Sequence, residues 1–237
     1  MPKLHSYGCS FSWPTNIQDG KSFPTLVAER LNYVHIQNAF PALCNDEIYS
    51  RFCSSLSSIK KDDIILYQFT FPVRKGFVIN NSDYESSAGF FADVNANLDK
   101  LKSNPFVNQE MIDYLFLNSN FIHYSIYFLI QRVVSILKFL EETLEIKYRL
   151  LFINDEYDDT IKAMNSVKKK LRIDKPDYDL TERFFIPFAD KVIMFNESIS
   201  ILDYVYNNKL TVSAQDSHPN QQGHNKIAEQ IINTLTL

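Results

Sequence analysis

Apolar positions along the chain follow two alternating rhythms. Short, nearly continuous runs of β-branched, aliphatic and aromatic residues read as strands at 4–7, 33–37, 63–69 and 148–153, with a weaker one at 191–195. The run at 63–69 (Asp-Ile-Ile-Leu-Tyr-Gln-Phe) is the strongest, because its only charge stands at its start. Between these runs apolar residues recur three and four positions apart, the spacing of one helix face, at 24–31, 45–56, 122–144 and 224–234. The stretch 121–140 places Ile122, Ile126, Leu129, Val133, Leu137 and Leu140 at that spacing and intersperses His123, Gln131, Arg132 and Lys138. It therefore reads as a buried or amphipathic helix and not as a membrane span.

Strand–helix alternation with strands apolar on both faces predicts an α/β fold, a parallel sheet covered by helices on each side. From 75 to 120 the rhythm breaks into a stretch rich in Asn, Ser and Asp with scattered Phe and Tyr. That stretch reads equally as an insertion over the carboxyl ends of the strands and as a plain surface excursion. No repeat, low-complexity tract or Pro/Gly-rich linker appears, so one domain over 1–237, with an insertion at about 75–120, is expected.

Composition narrows the function classes. Hydrophobic residues are 45% and charged residues 22% of 237, a globular balance that excludes wholesale disorder. With 24 basic and 28 acidic residues the net charge is −4, which offers no electrostatic reason for nucleic acid or an anionic membrane to be the main partner. Cys9, Cys44 and Cys53 have neither the number of a disulfide framework nor the CxxC spacing of a structural zinc site, and no metal or cofactor is expected. The first residues lack a charged segment followed by an apolar run, so no secretory signal is read and a cytoplasmic location is the default.

Two motifs can carry chemistry. Gly8-Cys9-Ser10-Phe11-Ser12 follows the first strand directly, and functional groups of open parallel sheets gather past the carboxyl ends of strands. Ser10 there serves as a nucleophile if a base takes its proton, or as a cap of the next helix if none does. Asp216-Ser217-His218-Pro219 precedes the last helical segment and offers a base with a carboxylate to orient it, although Asp and Pro are also ordinary turn residues. His224 reads as a packing or capping residue. The acidic run at 155–159 reads as a solvated loop and the Lys168-Lys169-Lys170 run as the wet face of a helix.

Taken together, these motifs resemble the SGNH/GDSL hydrolase superfamily nearly end to end. Gly8-Cys9-Ser10-Phe11-Ser12 is similar to its first block, with Cys9 where the name-giving Asp usually stands. Asn38-Ala39-Phe40-Pro41-Ala42-Leu43-Cys44-Asn45 is similar to its second block, with Ala42 in place of Gly. Asp216-Ser217-His218-Pro219, followed by Gly223-His224 and Ile227-Ala228, is similar to its last block and is the most specific match. The third block departs: Gln68-Phe69-Thr70-Phe71-Pro72-Val73-Arg74 stands where Gly-x-Asn-Asp is usual, and Pro72 has neither an amide side chain nor an N–H. The acid departs too, since Asp216 lies two residues before His218 rather than three.

The resemblance implies a three-layer α/β/α sandwich, flavodoxin-like, with a mostly parallel sheet of about five strands. It implies a serine esterase in which Ser10 attacks an ester carbonyl, His218 is general base and then acid, and Asp216 or a backbone carbonyl orients the imidazole. The oxyanion and substrate contacts fall to the Ser10 and Ala42 backbone and to Asn45, Gln68, Thr70 and Arg74. At adjacent positions only one of Cys9 and Ser10 can point into the site, and the resemblance selects Ser10. The expected substrate is a small ester, an O-acetyl group on a carbohydrate, with a small-molecule or glycan ester as partner. The same site also suits an O-acyltransferase acting on a glycan, and the altered third block suits a weak or inactive glycan-binding or assembly module.

Overall fold

The computed structural model describes residues 1–17, 20–71, 74–75, 90–91, 122–155, 186–196 and 198–235. Four parallel strands form the sheet: β1 (Lys3–Tyr7), β2 (Val34–Gln37), β3 (Ile64–Phe69) and β6 (Lys147–Phe152), in the order β2-β1-β3-β6. A separate two-residue antiparallel ladder joins β4 (Arg74–Lys75) to β5 (Phe90–Phe91). The rest of the break at 75–120 lies outside the described residues, as do the Lys168-Lys169-Lys170 run and most of the acidic run at 155–159.

Every residue of β3 is buried, which is why its sequence is apolar throughout. Ile65, Tyr67 and Phe69 face α2 (Asn45–Ser55) and α3 (Ile122–Leu144) through Ile48, Phe52, Ile130, Val133 and Leu137. On the other face Ile64 and Leu66 meet α1 (Phe23–Leu31), α4 (Ile201–Asn207) and α5 (Gln221–Leu235) through Phe23, Val27, Val205, Ile227 and Ile231. Helices on both faces of a parallel sheet make the three-layer α/β/α architecture. Among the described residues no helix is long and apolar enough to cross a membrane.

The sheet has four strands, fewer than the five or so expected. The segment at 191–195 touches β6 by a single parallel bridge, Val192 to Leu150, because the chain doubles back where Phe195 and Ser198 exchange backbone hydrogen bonds. A second bridge, Ser200 to Phe152, then leads into α4. That helix has only two turns and starts where the Ser200 hydroxyl accepts the Asp203 N–H at 3.0 Å. Similarly, α5 begins three residues before the predicted helix, because the Asn220 side chain accepts the Gly223 N–H at 2.9 Å.

At the amino end of the sheet Asp63 is 2% exposed and accepts four hydrogen bonds. Its carboxylate accepts the N–H of Lys3 at 2.8 Å, the N–H of Lys60 at 2.9 Å and the ring Nε2 of buried His5 at 3.1 Å. Its carbonyl accepts the Lys147 N–H at 3.1 Å. The functional residues lie at the opposite, carboxyl end.

Candidate functional site

The sheet changes its direction of winding between β1 and β3, and the crevice beyond their carboxyl ends is where open α/β sheets bind ligands. From β1 the chain passes Gly8 and extended Cys9 into a 3-10 turn, Ser10–Ser12, closed by Ser12 N–H on the Cys9 carbonyl at 3.0 Å. Cys9 is wholly buried and packs with Leu4, Phe11 and Leu66. Its neighbour Ser10 turns the other way and keeps 8% of its surface exposed. Of these adjacent nucleophile candidates, the Ser10 side chain is the one that meets a base.

Gln68, near the end of β3, underlies that turn. Its Oε1 accepts the Ser12 hydroxyl and its Nε2 lies 3.5 Å from Cys9 Sγ. This pair passes so close to the backbone that a Cβ at Gly8 would sit 2.6 Å from Gln68 Oε1 and 2.7 Å from Ser12 Oγ. The glycine at position 8 is thus demanded by a buried side-chain contact. Gln68 itself is 1% exposed and supports the nucleophile turn from beneath.

The base comes from the loop before α5. Val212 N–H bonds to the His218 carbonyl at 2.8 Å and Ser213 N–H to the Asp216 carbonyl at 3.2 Å, so residues 211–219 fold back as a narrow loop. In it the Asp216 Oδ1 accepts both the backbone N–H of His218 at 3.0 Å and a bond with His218 Nδ1 at 2.6 Å. This double use requires the carboxylate two residues before the histidine, which gives the unusual spacing a geometric reason. The other ring nitrogen, Nε2, lies 2.8 Å from Ser10 Oγ. The Phe11 ring packs against the imidazole at 5.0 Å between centroids.

The second oxygen of Asp216 accepts Asn16 Nδ2 at 2.6 Å. Partial burial raises the Asp216 pKa, but hydrogen bonds from the His218 backbone, Asn16 and the His218 ring outweigh it and hold the carboxyl below its ordinary range. With Nδ1–H donated to this carboxylate, Nε2 is left as the acceptor facing the serine hydroxyl. His224, by contrast, is fully buried behind the site. Its Nδ1 accepts the Phe23 N–H at 3.1 Å, and burial, with His218 nearby, pushes its pKa down to about 4.

The second block lies beside the β1 exit, with Asn38 N–H on the Ser6 carbonyl at 2.9 Å and Phe40 N–H on the Gly8 carbonyl at 3.2 Å. Ala42 has φ of 65°, the left-handed conformation that favours glycine. The backbone therefore keeps a glycine-like shape although the residue is alanine. Asn45 is 2% exposed, and its amide binds the backbone leaving β3: Oδ1 accepts Thr70 N–H at 2.9 Å, and Nδ2 donates to the carbonyls of Thr70 at 3.1 Å and Phe71 at 3.4 Å. Asn45 thus fixes the start of the third block in place. Thr70 is completely buried. Arg74 has its backbone in β4; its side chain and Pro72 lie outside the described residues.

Three contributing residues escaped the sequence reading: Asn16, Ser12 and Gln37. Gln37 accepts the Ser6 hydroxyl at 3.0 Å and donates to the carbonyls of Ser12 at 3.3 Å and Ala39 at 3.2 Å, tying the nucleophile turn to the second block. A polar residue ending an apolar strand was its one signal. Among the described residues no group of three or more His, Cys, Asp and Glu could hold a metal ion.

No family model matches the sequence, and no curated protein matches it. Solved structures do. The chain is similar to a member of the lipolytic protein G-D-S-L family from Veillonella parvula, at 10% identity and a TM-score of 0.48 over 100% of this chain and 99% of that one. It is similar to a psychrotrophic esterase from Pseudoalteromonas sp., at 11% identity and a TM-score of 0.46 over 100% and 97%. It is also similar to phospholipase A1 from Streptomyces albidoflavus, at 9% identity and a TM-score of 0.44 over 99% and 98%.

Proposed function

We propose that this chain is a serine ester hydrolase working through an acyl-enzyme at Ser10. The observation that carries the reading is the relay Ser10 Oγ to His218 Nε2 at 2.8 Å and His218 Nδ1 to Asp216 Oδ1 at 2.6 Å. A hydroxyl is a poor nucleophile until a base accepts its proton as it attacks. In the first half-reaction His218 takes that proton while Ser10 Oγ bonds to the ester carbonyl carbon. The imidazolium then gives the proton to the departing alcohol oxygen. In the second half-reaction a water replaces the alcohol, His218 activates it, and the acid leaves with Ser10 restored. Asp216 stays ionised throughout and stabilises the imidazolium between the two transfers.

The oxyanion of each tetrahedral intermediate is assigned to the backbone N–H groups of Ser10 and Ala42. Arg74, just past the β3 exit, is assigned as the cation for the oxyanion or for an anionic part of the substrate. Each good donor to such an oxygen contributes about 3 kcal/mol to the barrier reduction. The substrate we assign is a small ester, an O-acetyl group on a carbohydrate. The half-exposed aromatic residues beside Ser10 support a ring-bearing alcohol portion.

The test is incubation with a fluorophosphonate followed by intact mass and peptide mapping. A single adduct on Ser10, lost in His218→Ala, is expected, together with acetate release from O-acetylated sugars. Labelling elsewhere, or none, overturns the assignment.

A further inference from the structure

Trp13 and Phe40 come from the two segments that bracket the nucleophile. Trp13 ends the 3-10 turn, with its N–H 3.3 Å from the Ser10 carbonyl, and Phe40 N–H bonds to the Gly8 carbonyl at 3.2 Å. Their rings stack, with centroids 5.2 Å apart and planes 24° from parallel. Phe40 remains 37% exposed, a large apolar ring held at the surface next to the site. Above it sits Arg51 of α2, its guanidinium carbon 4.5 Å from the ring centroid. Arg51 is itself exposed, and among the described residues no carboxylate pairs with it.

These facts belong together physically. Stacking fixes the Phe40 ring, and the ring face in turn holds the guanidinium by cation–π attraction, so the charge is positioned without being neutralised. A positioned but unneutralised guanidinium retains its forked donors for a planar anion, above all a carboxylate. The aromatic carbon left exposed at Phe40, for its part, packs against the C–H groups of a sugar. The wall therefore combines aromatic surface on the two segments that flank the nucleophile turn with a carboxylate donor on α2.

We propose that Trp13, Phe40 and Arg51 form the subsite for the alcohol portion of the substrate, and that this portion is an acidic sugar whose carboxylate pairs with Arg51. The turnover arm of this inference rests on the Ser10 hydrolase reading; the binding arm does not. Trp13 is the single tryptophan of the chain, so intrinsic fluorescence reports on the wall directly.

The experiment has both arms. In Ser10→Ala protein, Trp13 fluorescence is titrated with methyl glucuronide and with methyl glucoside, which differ by the carboxylate. In wild-type protein, kcat/KM is compared for the O-acetylated forms of the same two sugars. Tighter binding and faster turnover of the glucuronide are expected, by roughly five- to tenfold. Arg51→Gln should remove that preference, Arg51→Lys should restore part of it, and Arg51→Glu should invert it, with the effect in KM rather than kcat. The proposal is overturned if wild-type protein does not discriminate between the sugars, or if Arg51→Glu keeps the wild-type preference. A glucuronide-specific fluorescence change in a protein whose Ser10 takes no fluorophosphonate would uphold the subsite and reject the hydrolase reading.

Discussion

Asn16 and Asp216, 200 positions apart in the chain, meet at 2.6 Å through Nδ2 and Oδ2. The loop that follows the nucleophile therefore grips the carboxylate that orients the base, and one contact joins the two halves of the site.

That contact makes Asn16 a positioning residue with a distinctive pH signature. Its φ of 57° is left-handed, so Asn16→Gly keeps the backbone while deleting the amide. The kcat of Asn16→Gly should fall by about tenfold, the value of one charge-assisted hydrogen bond of about 1.5 kcal/mol. Asn16→Asp puts a second carboxylate against Asp216, favours the imidazolium of His218 and should move the acid limb of the kcat/KM profile to higher pH. An unmoved limb in Asn16→Asp would show that the contact does not reach the histidine.

Ser10→Ala should lower turnover of an activated acetyl ester by about four orders of magnitude or more, with little change in Tm. Cys9→Ala should retain the larger part of the activity, since the Cys9 thiol is packed in the core. Loss in the cysteine variant alone would transfer the nucleophile role to Cys9.

At Gly8 the space is already taken by Gln68 and Ser12. Gly8→Ala should destabilise the protein by about 1–3 kcal/mol through overpacking, and should slow fluorophosphonate labelling because Ser10 is two residues away. Urea midpoints and labelling rates measure the two effects separately.

Ala42→Gly should act in the opposite sense. Relief of the left-handed strain should raise stability by up to about 1 kcal/mol, which is about 2–4 °C in Tm for a chain of this size. A fall in Tm would mean that the exposed turn tolerates alanine without strain.

Acid should weaken the fold in a defined window. Burial lowers the pKa of His5, and pushes those of His35 and His224 down to about 4. The unfolded chain protonates these residues near 6.5, whereas in the folded protein His35 and His224 resist until about 4 and His5 is shifted in the same direction. Stability is therefore full above about pH 6.5 and falls as pH drops toward 4, by about 1.4 kcal/mol per pH unit for each histidine that stays neutral while folded. Asp216, held below the ordinary carboxylate range, adds its own loss only at lower pH. Thermal melts between pH 7 and 4 measure the slope, and a flat Tm would contradict the buried neutral imidazoles.

The sequence displayed the layers more clearly than the edges. Strand β3 was legible because burial on two faces leaves a nearly continuous apolar run, β6 by its apolar end Leu150-Leu151-Phe152, and α3 because its periodicity lasts six turns. The segment at 191–195 has the same composition as a strand, yet whether it extends a ladder depends on where the chain doubles back beyond Phe195. Helix α4 is too short for periodicity to register. At the site, Ser10, Asp216 and His218 stood out by chain position, and the structure places them within hydrogen-bond distance. The parts of Asn45 and Gln68 were not legible, because their amides serve backbone and buried partners that sequence alone cannot locate. Asn16 gave no signal at all, being one polar residue in an exposed turn.

The four bonds on Asp63 have a further consequence. Because β3 is apolar on both faces, sliding it by one residue against β1 would exchange Ile65, Tyr67 and Phe69 for Ile64 and Leu66 at little hydrophobic cost. Hydrophobic pattern alone therefore leaves the strand's register ambiguous. Asp63 removes the ambiguity: a slip would strand a buried carboxylate away from Lys3 and His5 of β1, and no apolar contact would compensate it. The same slip would carry Gln68 out from under Ser12. A polar address at one end of the sheet thus sets, five residues along the strand, the height at which Ser10 is presented.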